Sequence, residues 1–482
     1  MNVRLVLVLC LILPFSKCQD STCNLFQKYV LFKDECPSEE TNEVEQKSSC
    51  SYFQKYVLWR KECNEIPQVN TTFTKCNRIQ QKLLGQEYCN YIPDQYLDVP
   101  QIIARHGYPS ETHIVVTEDG YLLQVHRIPK PKLGASIGQP VFLQHGLLGS
   151  SADWIINGNN TLAFLLADKG YDVWLGNARG NVYSRSHISL PNDHSAFWNF
   201  SFHEMGTKDL PSVITYITRV TKKPGELIYI GHSMGTTMFY VFASENVRVA
   251  KNIKVMVGMG SAAYMTHITS PIRYFAPLSN DLEWLRKYLG FNQFLPNNKL
   301  MRALSFQCEL FKIDSKMCEN LIFAICGFNK EEFNTKILPI LLAKDPAGAS
   351  TKTIIHYAQE IRNNGNFQKY DYGEVGNMIE YGTKSPPLYN ITSIRTPIYL
   401  MYAMNDWLSN PEDVFRFASG LKNLAGLYKI KMDSFNHVDY IFGKDAETLV
   451  YQPLIKFLSN YTERDARLSF YKSFSVINHT GS

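Results

Sequence analysis

From about residue 98 onward, short apolar runs alternate along the chain with longer segments whose apolar residues recur at helical spacing. A short apolar run bounded by glycine or polar residues indicates a buried strand, whereas apolar residues at every third or fourth position indicate a helix. The strand candidates lie within residues 113–128, 140–150, 171–180, 227–230, 253–263 and 397–406. The first of these segments contains two runs around Glu118-Asp119-Gly120, which predicts a hairpin. We therefore expect an α/β fold with a mostly parallel central sheet and helices on both faces.

Residues 1–18 form a separate segment in which Arg4 precedes an apolar run and small residues precede Gln19. This pattern is typical of a secretory signal peptide that is cleaved before Gln19. The apolar run is too short to cross a bilayer, and no later apolar run is long enough to do so. We therefore expect no transmembrane anchor.

The cysteines and sequons fit an oxidising compartment. Removal of the signal peptide takes Cys10 and Cys18 and leaves nine of the eleven cysteines, and disulfides persist in such a compartment. The Asn-x-Ser/Thr sequons, which are candidate glycosylation sites, are Asn70, Asn159, Asn199, Asn390, Asn460 and Asn478. We expect a secreted protein, with lysosomal delivery as the alternative.

Residues 19–97 contain a cysteine-rich repeat in which each copy has two cysteines thirteen positions apart. The copies are "CNLFQKYVLFKDEC" (23–36), "CSYFQKYVLWRKEC" (50–63) and the diverged "CNRIQQKLLGQEYC" (76–89). Apolar residues at helical spacing indicate one short helix per copy, so the two cysteines of a copy lie roughly 20 Å apart, too far for a disulfide. Bridges would then join neighbouring helices, for example Cys36 to Cys50 and Cys63 to Cys76. We interpret the module as a disulfide-stapled structural extension, with a binding or pro-region module as the alternative.

The stretch "ELIYIGHSMGTTMFYVFAS", residues 226–244, combines an apolar run, a Gly-x-Ser-x-Gly turn and a helix-like segment. In such a strand-turn-helix the serine has a strained backbone that lifts its hydroxyl above the sheet, and the flanking glycines avoid clashes. Ser233 is therefore a candidate nucleophile. The alternative is a small residue that serves only the tight turn.

Two later residues complete a candidate triad. A serine hydroxyl needs a base to act as a nucleophile near neutral pH, and the base needs an orienting carboxylate. An α/β hydrolase places them after the serine in the order acid, then histidine. Asp406 ends the strand candidate "PIYLMYAMND", and His437 follows 31 residues later in "MDSFNHVDYIFG". We predict that Ser233, Asp406 and His437 form a catalytic triad.

Other carboxylates nearby compete with Asp406 for the role of orienting acid. Glu412 and Asp413 follow a proline and are typical of a helix start, where negative side chains suit the helix dipole. Asp433 and Asp439 lie close to the histidine in the chain, and either could merely shape its loop. The strand-end position favours Asp406.

Composition narrows the classes of function. Hydrophobic residues make up 45% of the 482 residues and charged residues 19%, which is sufficient for the core of a large α/β domain. The net charge of +5 is not concentrated in long basic runs, which argues against nucleic acid as a partner. The sequence contains no HExxH motif and no paired CxxC motif, so we expect no metal and no cofactor.

A set of motifs in a fixed order carries a family resemblance. They are "FLQHGLLGS", "GYDVWLGNARGN", "DLPSVITYI", "GHSMGTT", "FNTKILPILLAKDPAGAS", "YDYG", "PPLYN" and "FNHVDYIFG". With these motifs the chain resembles the acid lipase family, which includes gastric, lingual and lysosomal acid lipases, from about residue 98 to residue 463. The N-terminal repeats have no counterpart in that family.

The resemblance implies an α/β-hydrolase fold with an inserted helical cap or lid. It divides the chain into a first part of the hydrolase core (98–264), the cap (265–388), a second part of the core (389–465) and a tail (466–482). It assigns Ser233 as nucleophile, Asp406 as orienting acid and His437 as base. It implies the backbone N–H groups of Leu147 and Met234 as the oxyanion hole. It also implies a bridge between two of the cap cysteines Cys308, Cys318 and Cys326, and we expect Cys308 with Cys318.

The resemblance further implies a serine ester hydrolase that cleaves triacylglycerols or sterol esters at an oil-water or membrane interface. A large apolar cap is consistent with long acyl chains, because each buried CH₂ contributes about 0.8 kcal/mol. A lipid-binding protein on an inactive hydrolase scaffold is the first alternative. Acyl transfer to an alcohol other than water, which uses the same residues, is the second.

Overall fold

The computed structural model describes residues 93–134, 138–280, 283, 286, 290, 292–294, 325–363 and 365–461. All of these residues belong to the compact unit Ile66–Ser482. The expectations for the signal peptide, the three cysteine repeats, the Cys308–Cys318 bridge, the sequons Asn70 and Asn478 and the tail concern residues outside these ranges.

The segments with short apolar runs form the central sheet. Its strands are β1 (Glu111–Val116), β2 (Tyr121–Ile128), β3 (Pro140–Gln144), β4 (Asp172–Leu175), β5 (Ser186–His187), β6 (Leu227–His232), β7 (Ile253–Met259), β10 (Ile398–Tyr402) and β11 (Leu424–Lys429), and the short strands β8 (Gln293–Phe294) and β9 (Ala349–Ser350) pair separately. The order across the sheet is β1-β2-β4-β3-β6-β7-β10-β11, with β5 paired to β2. The pairs β1–β2 and β2–β4 are antiparallel, and every pair from β4 to β11 is parallel. The predicted hairpin and the mostly parallel sheet are confirmed.

The central strands are buried on both faces of the sheet. On β3, Val141 and Leu143 belong to one hydrophobic core, and Phe142 belongs to the other. On β6, Ile230 belongs to the same core as Val141, and Tyr229 belongs to the same core as Phe142. Because successive side chains of a strand point to opposite faces, a continuous apolar run is what a sheet with two covered faces requires.

Helices cover both faces. They are α1 (Val99–Arg105), α2 (Leu162–Asp168), α3 (Phe202–Glu204), α4 (Leu210–Thr221), α5 (Met234–Glu245), α6 (Val247–Ala250), α7 (Leu338–Lys344), α8 (Thr351–Arg362), α9 (Gly373–Tyr381), α10 (Pro411–Gly420) and α11 (Asp439–Phe442). Buried residues of α1 and α2 belong to one core, and those of α4 and α5 belong to the other. The helices therefore lie on both faces of the sheet, as the sequence predicts.

The segment between β7 and β10 interrupts the sheet. Its described part contains α7, α8, α9 and a 3₁₀ helix (Pro271–Leu278). The 3₁₀ helix packs against α8. The helical content matches the sequence pattern. The antiparallel pair of β8 and β9 is not predicted, because two-residue strands are too short for an alternating pattern to show.

The edge strand β11 is also absent from the sequence prediction. Its residues are exposed or half-buried, so it has no continuous apolar run. None of the helices in the described ranges is both long enough and apolar enough to cross a membrane.

Candidate active site

Ser233 lies at a sharp turn between β6 and α5. Its φ of 53° and ψ of −120° are unusual for a residue with a side chain. Glycines on either side permit this turn: a Cβ at Gly231 would lie 2.8 Å from the carbonyl carbon of Gly235, and a Cβ at Gly235 would lie 2.4 Å from the carbonyl oxygen of Gln144. Both distances are too short for a side chain. The two glycines thus let α5 start directly against the ends of β3 and β6.

The three residues of the predicted triad meet at the carboxyl edge of the sheet. His437 Nε2 lies 2.7 Å from Ser233 Oγ. On the other side of the ring, His437 Nδ1 lies 2.9 Å from Asp406 Oδ1 and 2.8 Å from Asp406 Oδ2. Asp406 is 2% exposed and His437 is 3% exposed, whereas Ser233 is half-buried. The serine hydroxyl is therefore open toward the surroundings, while the acid behind it is shielded from water.

The loop after β10 orients the carboxylate of Asp406. Its Oδ1 accepts hydrogen bonds from the backbone N–H groups of Leu408, at 3.0 Å, and Ser409, at 2.7 Å. Two donors from its own loop and the imidazole of His437 hold the carboxylate in one orientation. A carboxylate held in this way favours the tautomer in which Nδ1 of the histidine carries the proton.

The competing carboxylates have other partners. Asp413, at the start of α10, accepts hydrogen bonds from His267 N at 2.8 Å and lies 2.9 Å from His267 Nδ1. Asp433 is exposed and pairs with Lys429. Asp439 accepts the N–H of Asn436 at 2.8 Å and shapes the loop that carries the histidine, while burial raises its pKa to about 7.

Glu412, the fourth competitor, is 70% exposed at the surface beside His267. Of the five carboxylates considered from the sequence, only Asp406 hydrogen-bonds to the His437 ring.

The two residues of the expected oxyanion hole flank Ser233. Met234 is the first residue of α5, where N–H groups have no acceptor within the helix. Leu147 follows Gly146, at which a Cβ would lie 3.1 Å from Ser233 Cβ. Neither backbone N–H group donates a hydrogen bond to an acceptor in the described part of the chain. Both N–H groups therefore have no acceptor in this part of the chain, as the expected role requires.

Two buried histidines lie at this edge: the sequence places His145, with Gly146 and Leu147, at the carboxyl end of a strand without giving it a role, and it does not single out His232. His232 Nε2 lies 2.9 Å from the carbonyl oxygen of His437, so His232 braces the backbone of the histidine loop. His145 Nδ1 lies 2.7 Å from the carbonyl oxygen of Gly146. Burial lowers the pKa of His232 to about 3 and that of His145 to about 4. The sequence signals for them are adjacency to Ser233 for His232 and the strand-end position for His145, and neither signal distinguishes a supporting histidine from a core histidine.

The remaining site predictions concern the surface and the cysteines. The four described sequons, Asn159, Asn199, Asn390 and Asn460, are all exposed, as glycosylation requires. Cys326 is a buried free thiol. Among the described residues, no group of His, Cys, Asp and Glu side chains is arranged to hold a metal ion.

Comparison with known proteins adds independent information. Residues 99–158 match the family model of a partial alpha/beta-hydrolase lipase region, and residues 139–444 match that of the alpha/beta hydrolase fold. Lipase lipl-1 of Caenorhabditis elegans is 39% identical over 377 residues, which cover 76% of this chain and 93% of that protein. Lipase 3 of Drosophila melanogaster is 40% identical over 369 residues, with 76% and 93% covered. Gastric triacylglycerol lipase of Homo sapiens is 38% identical over 377 residues, with 76% and 92% covered.

Proposed function

This chain belongs to the lipase family of α/β hydrolases, and on that premise we propose that it cleaves the fatty acyl esters of neutral lipids through an acyl-enzyme on Ser233. The family membership predicted from the motifs is confirmed, and the chain is a carboxylic ester hydrolase. The observation that carries the proposal is a pair of hydrogen bonds: Ser233 Oγ donates to His437 Nε2, and His437 Nδ1 donates to Asp406.

The first step is attack by the serine. His437 Nε2 accepts the proton of Ser233 Oγ while the oxygen bonds to the ester carbonyl carbon, and the imidazolium that forms is stabilised by Asp406. The carbonyl oxygen gains negative charge and is bound by the N–H groups of Leu147 and Met234. Each such donor contributes about 3 kcal/mol to the stability of the transition state.

The second step divides the intermediate. His437 Nε2 returns its proton to the alcohol oxygen as the C–O bond breaks, so the alcohol leaves and the fatty acid stays esterified to Ser233. Water then enters, gives a proton to His437 and attacks the acyl carbon. The proton returns to Ser233 Oγ as the fatty acid leaves, which restores the starting state.

The relatives and the segment between β7 and β10 support neutral lipids as the substrate class. The relatives include gastric triacylglycerol lipases, and we extend the substrate class to sterol esters. We propose that the segment between β7 and β10 acts as a cap that shields the acyl chain from water. Helix α9 in this segment exposes Val375, Met378 and Ile379, which lie on one helical face because they are three and four positions apart. An exposed apolar face of this kind supports contact with a lipid surface.

We propose that the protein acts outside the cytosol, in a secreted or lysosomal setting. The pattern of residues 1–18 and the exposed sequons support this proposal. The cysteine repeats would then form disulfides in the same compartment.

Replacement of the nucleophile tests the function. We expect Ser233→Ala to lower the hydrolysis of triolein and of tributyrin about 10⁴-fold or more, because no other hydroxyl occupies the elbow. The measurement is fatty acid release in a pH-stat across acidic to neutral pH. Ser212→Ala is the matched control, since Ser212 Oγ only donates to the carbonyl oxygen of Lys208 within a helix turn.

Two results would contradict the proposal. One is a Ser233→Ala protein that hydrolyses both lipids at the rate of the control. The other is a folded wild-type protein that binds lipid without releasing fatty acid, which would instead support the inactive lipid-binding scaffold.

A further inference from the structure

The peptide group between Gly146 and Leu147 is held at its carbonyl end. The carbonyl oxygen of Gly146 lies 2.7 Å from His145 Nδ1 and accepts the N–H of Gly149 at 3.2 Å. The opposite end of the same peptide group is the N–H of Leu147, the proposed oxyanion donor. Because a trans peptide group is planar, its C=O and N–H point in opposite directions, so the orientation of one determines that of the other.

The hydrogen bonds of His145 define which ring nitrogen carries the proton. The backbone N–H of Ala178 donates to His145 Nε2 at 3.0 Å, and the amide nitrogen of Asn181 also lies 3.3 Å from Nε2. Two donors face this nitrogen, so Nε2 is the acceptor and Nδ1 carries the proton. Nδ1–H therefore donates to Gly146 O. His145 is 1% exposed, and burial lowers its pKa to about 4, so the ring stays neutral in mildly acidic solution.

We propose that His145 is a positioning residue for the oxyanion hole, which holds the Gly146–Leu147 peptide group so that Leu147 N–H points at the oxygen of the ester attacked by Ser233. The inference rests on the proposed function and adds the side chain that orients one of its two donors. Ala178 and Asn181, in the loop after β4, hold the His145 ring in place through their hydrogen bonds to Nε2.

The backbone that follows Leu147 explains why such a brace is needed. Leu148 has a φ of 65°, a region that residues with a side chain adopt only at a cost of about 1 kcal/mol or more. The loop does not prefer this shape by itself. Hydrogen bonds at both ends hold it: Gly146 O accepts from His145, and Leu148 O accepts the N–H of Ala347 at 2.6 Å.

A pair of nearly isosteric variants separates the hydrogen bond from the shape of the side chain. His145→Leu removes the donor to Gly146 O, whereas the amide of His145→Asn can still provide one. The control is His126→Leu, because His126 is also fully buried and has both ring nitrogens bonded, to Gln124 and Ser151, without contacting the Gly146–Leu147 peptide group.

The readouts are kcat and KM for p-nitrophenyl butyrate and the inhibition constant of an alkyl boronic acid, whose tetrahedral adduct places an oxygen in the oxyanion hole. We expect His145→Leu to lower kcat about 10²-fold with KM changed less than about twofold, and to weaken boronic acid inhibition by the same factor as kcat. We expect His145→Asn to regain at least about tenfold of the lost kcat. We expect His126→Leu to lower the melting temperature while kcat and inhibition stay within about twofold of wild type.

Several outcomes would overturn the role of His145. One is a folded His145→Leu protein with wild-type kcat, and another is equal loss in the Leu and Asn variants without a change in boronic acid inhibition. If His145→Leu does not fold, the ¹⁵N NMR spectrum of histidine-labelled wild-type protein decides, since a His145 ring protonated at Nε2 contradicts the proposal and one protonated at Nδ1 supports it. Absence of hydrolysis by the wild-type protein contradicts the proposed function instead, so the two failures are distinguishable.

Discussion

At the scale of single residues, the absence of a side chain at Gly260 allows the histidine and the aspartate to approach each other. Gly260 directly follows β7 and has a φ of 58°. A Cβ there would lie 3.1 Å from Cε1 and Nδ1 of His437 and 3.2 Å from Asp406 Oδ2. These distances are shorter than ordinary van der Waals contact, so any larger residue must displace the imidazole or the carboxylate.

We expect Gly260→Ala to lower kcat about 10²-fold, because a shift of the His437 ring misaligns it with Ser233 Oγ. The positive φ adds a strain of about 1 kcal/mol. Gly382→Ala is the matched control: Gly382 has a φ of 71°, but a Cβ there would meet nothing within 4 Å. Thermal unfolding should show a similar loss of stability in both variants, and kinetics should show lost activity only in Gly260→Ala. Equal activity of the two variants would refute the steric argument.

At the scale of elements, Arg179 joins the turn between β1 and β2 to Asp209, the residue directly before α4. Its guanidinium donates to Asp119 Oδ2 at 2.7 Å and to Asp209 Oδ1 at 2.8 Å, and it lies 4.0 Å from the centroid of the Tyr121 ring. The side chain of Arg179 is 1% exposed. Burial raises the pKa of Asp209 to about 6, against the lowering effect of Arg179. Removal of Arg179 would therefore leave the buried carboxylate of Asp209 without a cation, and this is the main way in which the ion pair affects stability.

We expect Arg179→Met to lower the free energy of unfolding by about 3 to 5 kcal/mol at neutral pH, because the removal of one partner leaves the buried Asp209 uncompensated. Lys208 and Glu118 connect the same two segments, but Lys208 is only half-buried and Glu118 is exposed, so Lys208→Met should cost less than about 1 kcal/mol. Urea unfolding followed by circular dichroism measures both. If both variants lose a similar free energy of unfolding, burial of the Arg179–Asp209 ion pair does not increase its contribution to stability.

At the scale of the whole molecule, two buried carboxyl groups from distant parts of the chain face each other. Asp153 lies in the 3₁₀ helix Ser151–Trp154, a few residues after Leu147, and Asp345 caps the C-terminus of α7. Burial raises the pKa of Asp153 to about 7, and burial together with the charge of Asp153 raises the pKa of Asp345 well above its usual range. A side-chain hydrogen bond with Asp153 adds to the raised pKa of Asp345, and Lys344 opposes it only weakly.

This pair should make the fold less stable as the pH rises. A carboxyl group whose pKa is raised in the folded state holds a proton there that the unfolded chain has already released above about pH 4. The free energy of unfolding therefore falls as the pH rises from about 4 through the folded-state pKa of about 7, by at most about 1.4 kcal/mol per pH unit for each such proton. Buried histidines with lowered pKa values act in the opposite direction, but only below about pH 6.5, where the unfolded chain binds protons that the folded protein does not.

We expect Asp345→Asn to flatten the decline in the free energy of unfolding between pH 6.5 and pH 8, since the amide can donate to Asp153 and removes the like charge. Asp433→Asn, at an exposed carboxylate that pairs with Lys429, should leave the slope unchanged. Chemical unfolding at several pH values gives the slopes. Parallel slopes for wild type and Asp345→Asn would rule out the carboxyl pair as their source.

The sequence predicts the strands whose own residues form a continuous apolar run. The six apolar segments contain the buried strands β3, β4, β6, β7 and β10 and the hairpin of β1 and β2. It does not predict β11, because an edge strand with exposed and half-buried residues has no such pattern. It does not predict β8 and β9, because a strand of two residues is defined only by its pairing.

For the candidate site, the sequence by itself determined the residue types and their order along the chain: a serine in a glycine-flanked turn, then Asp406, then His437. Those features are local, because an elbow and a strand end are recognisable within about ten neighbouring residues. Only the tertiary structure decided which carboxylate the histidine faces, which histidine braces Gly146 and which two aspartates share a buried space. Each of these depends on contact between segments far apart in the chain, and packing of helices against a sheet, rather than spacing in the sequence, brings such segments within a few ångströms of each other.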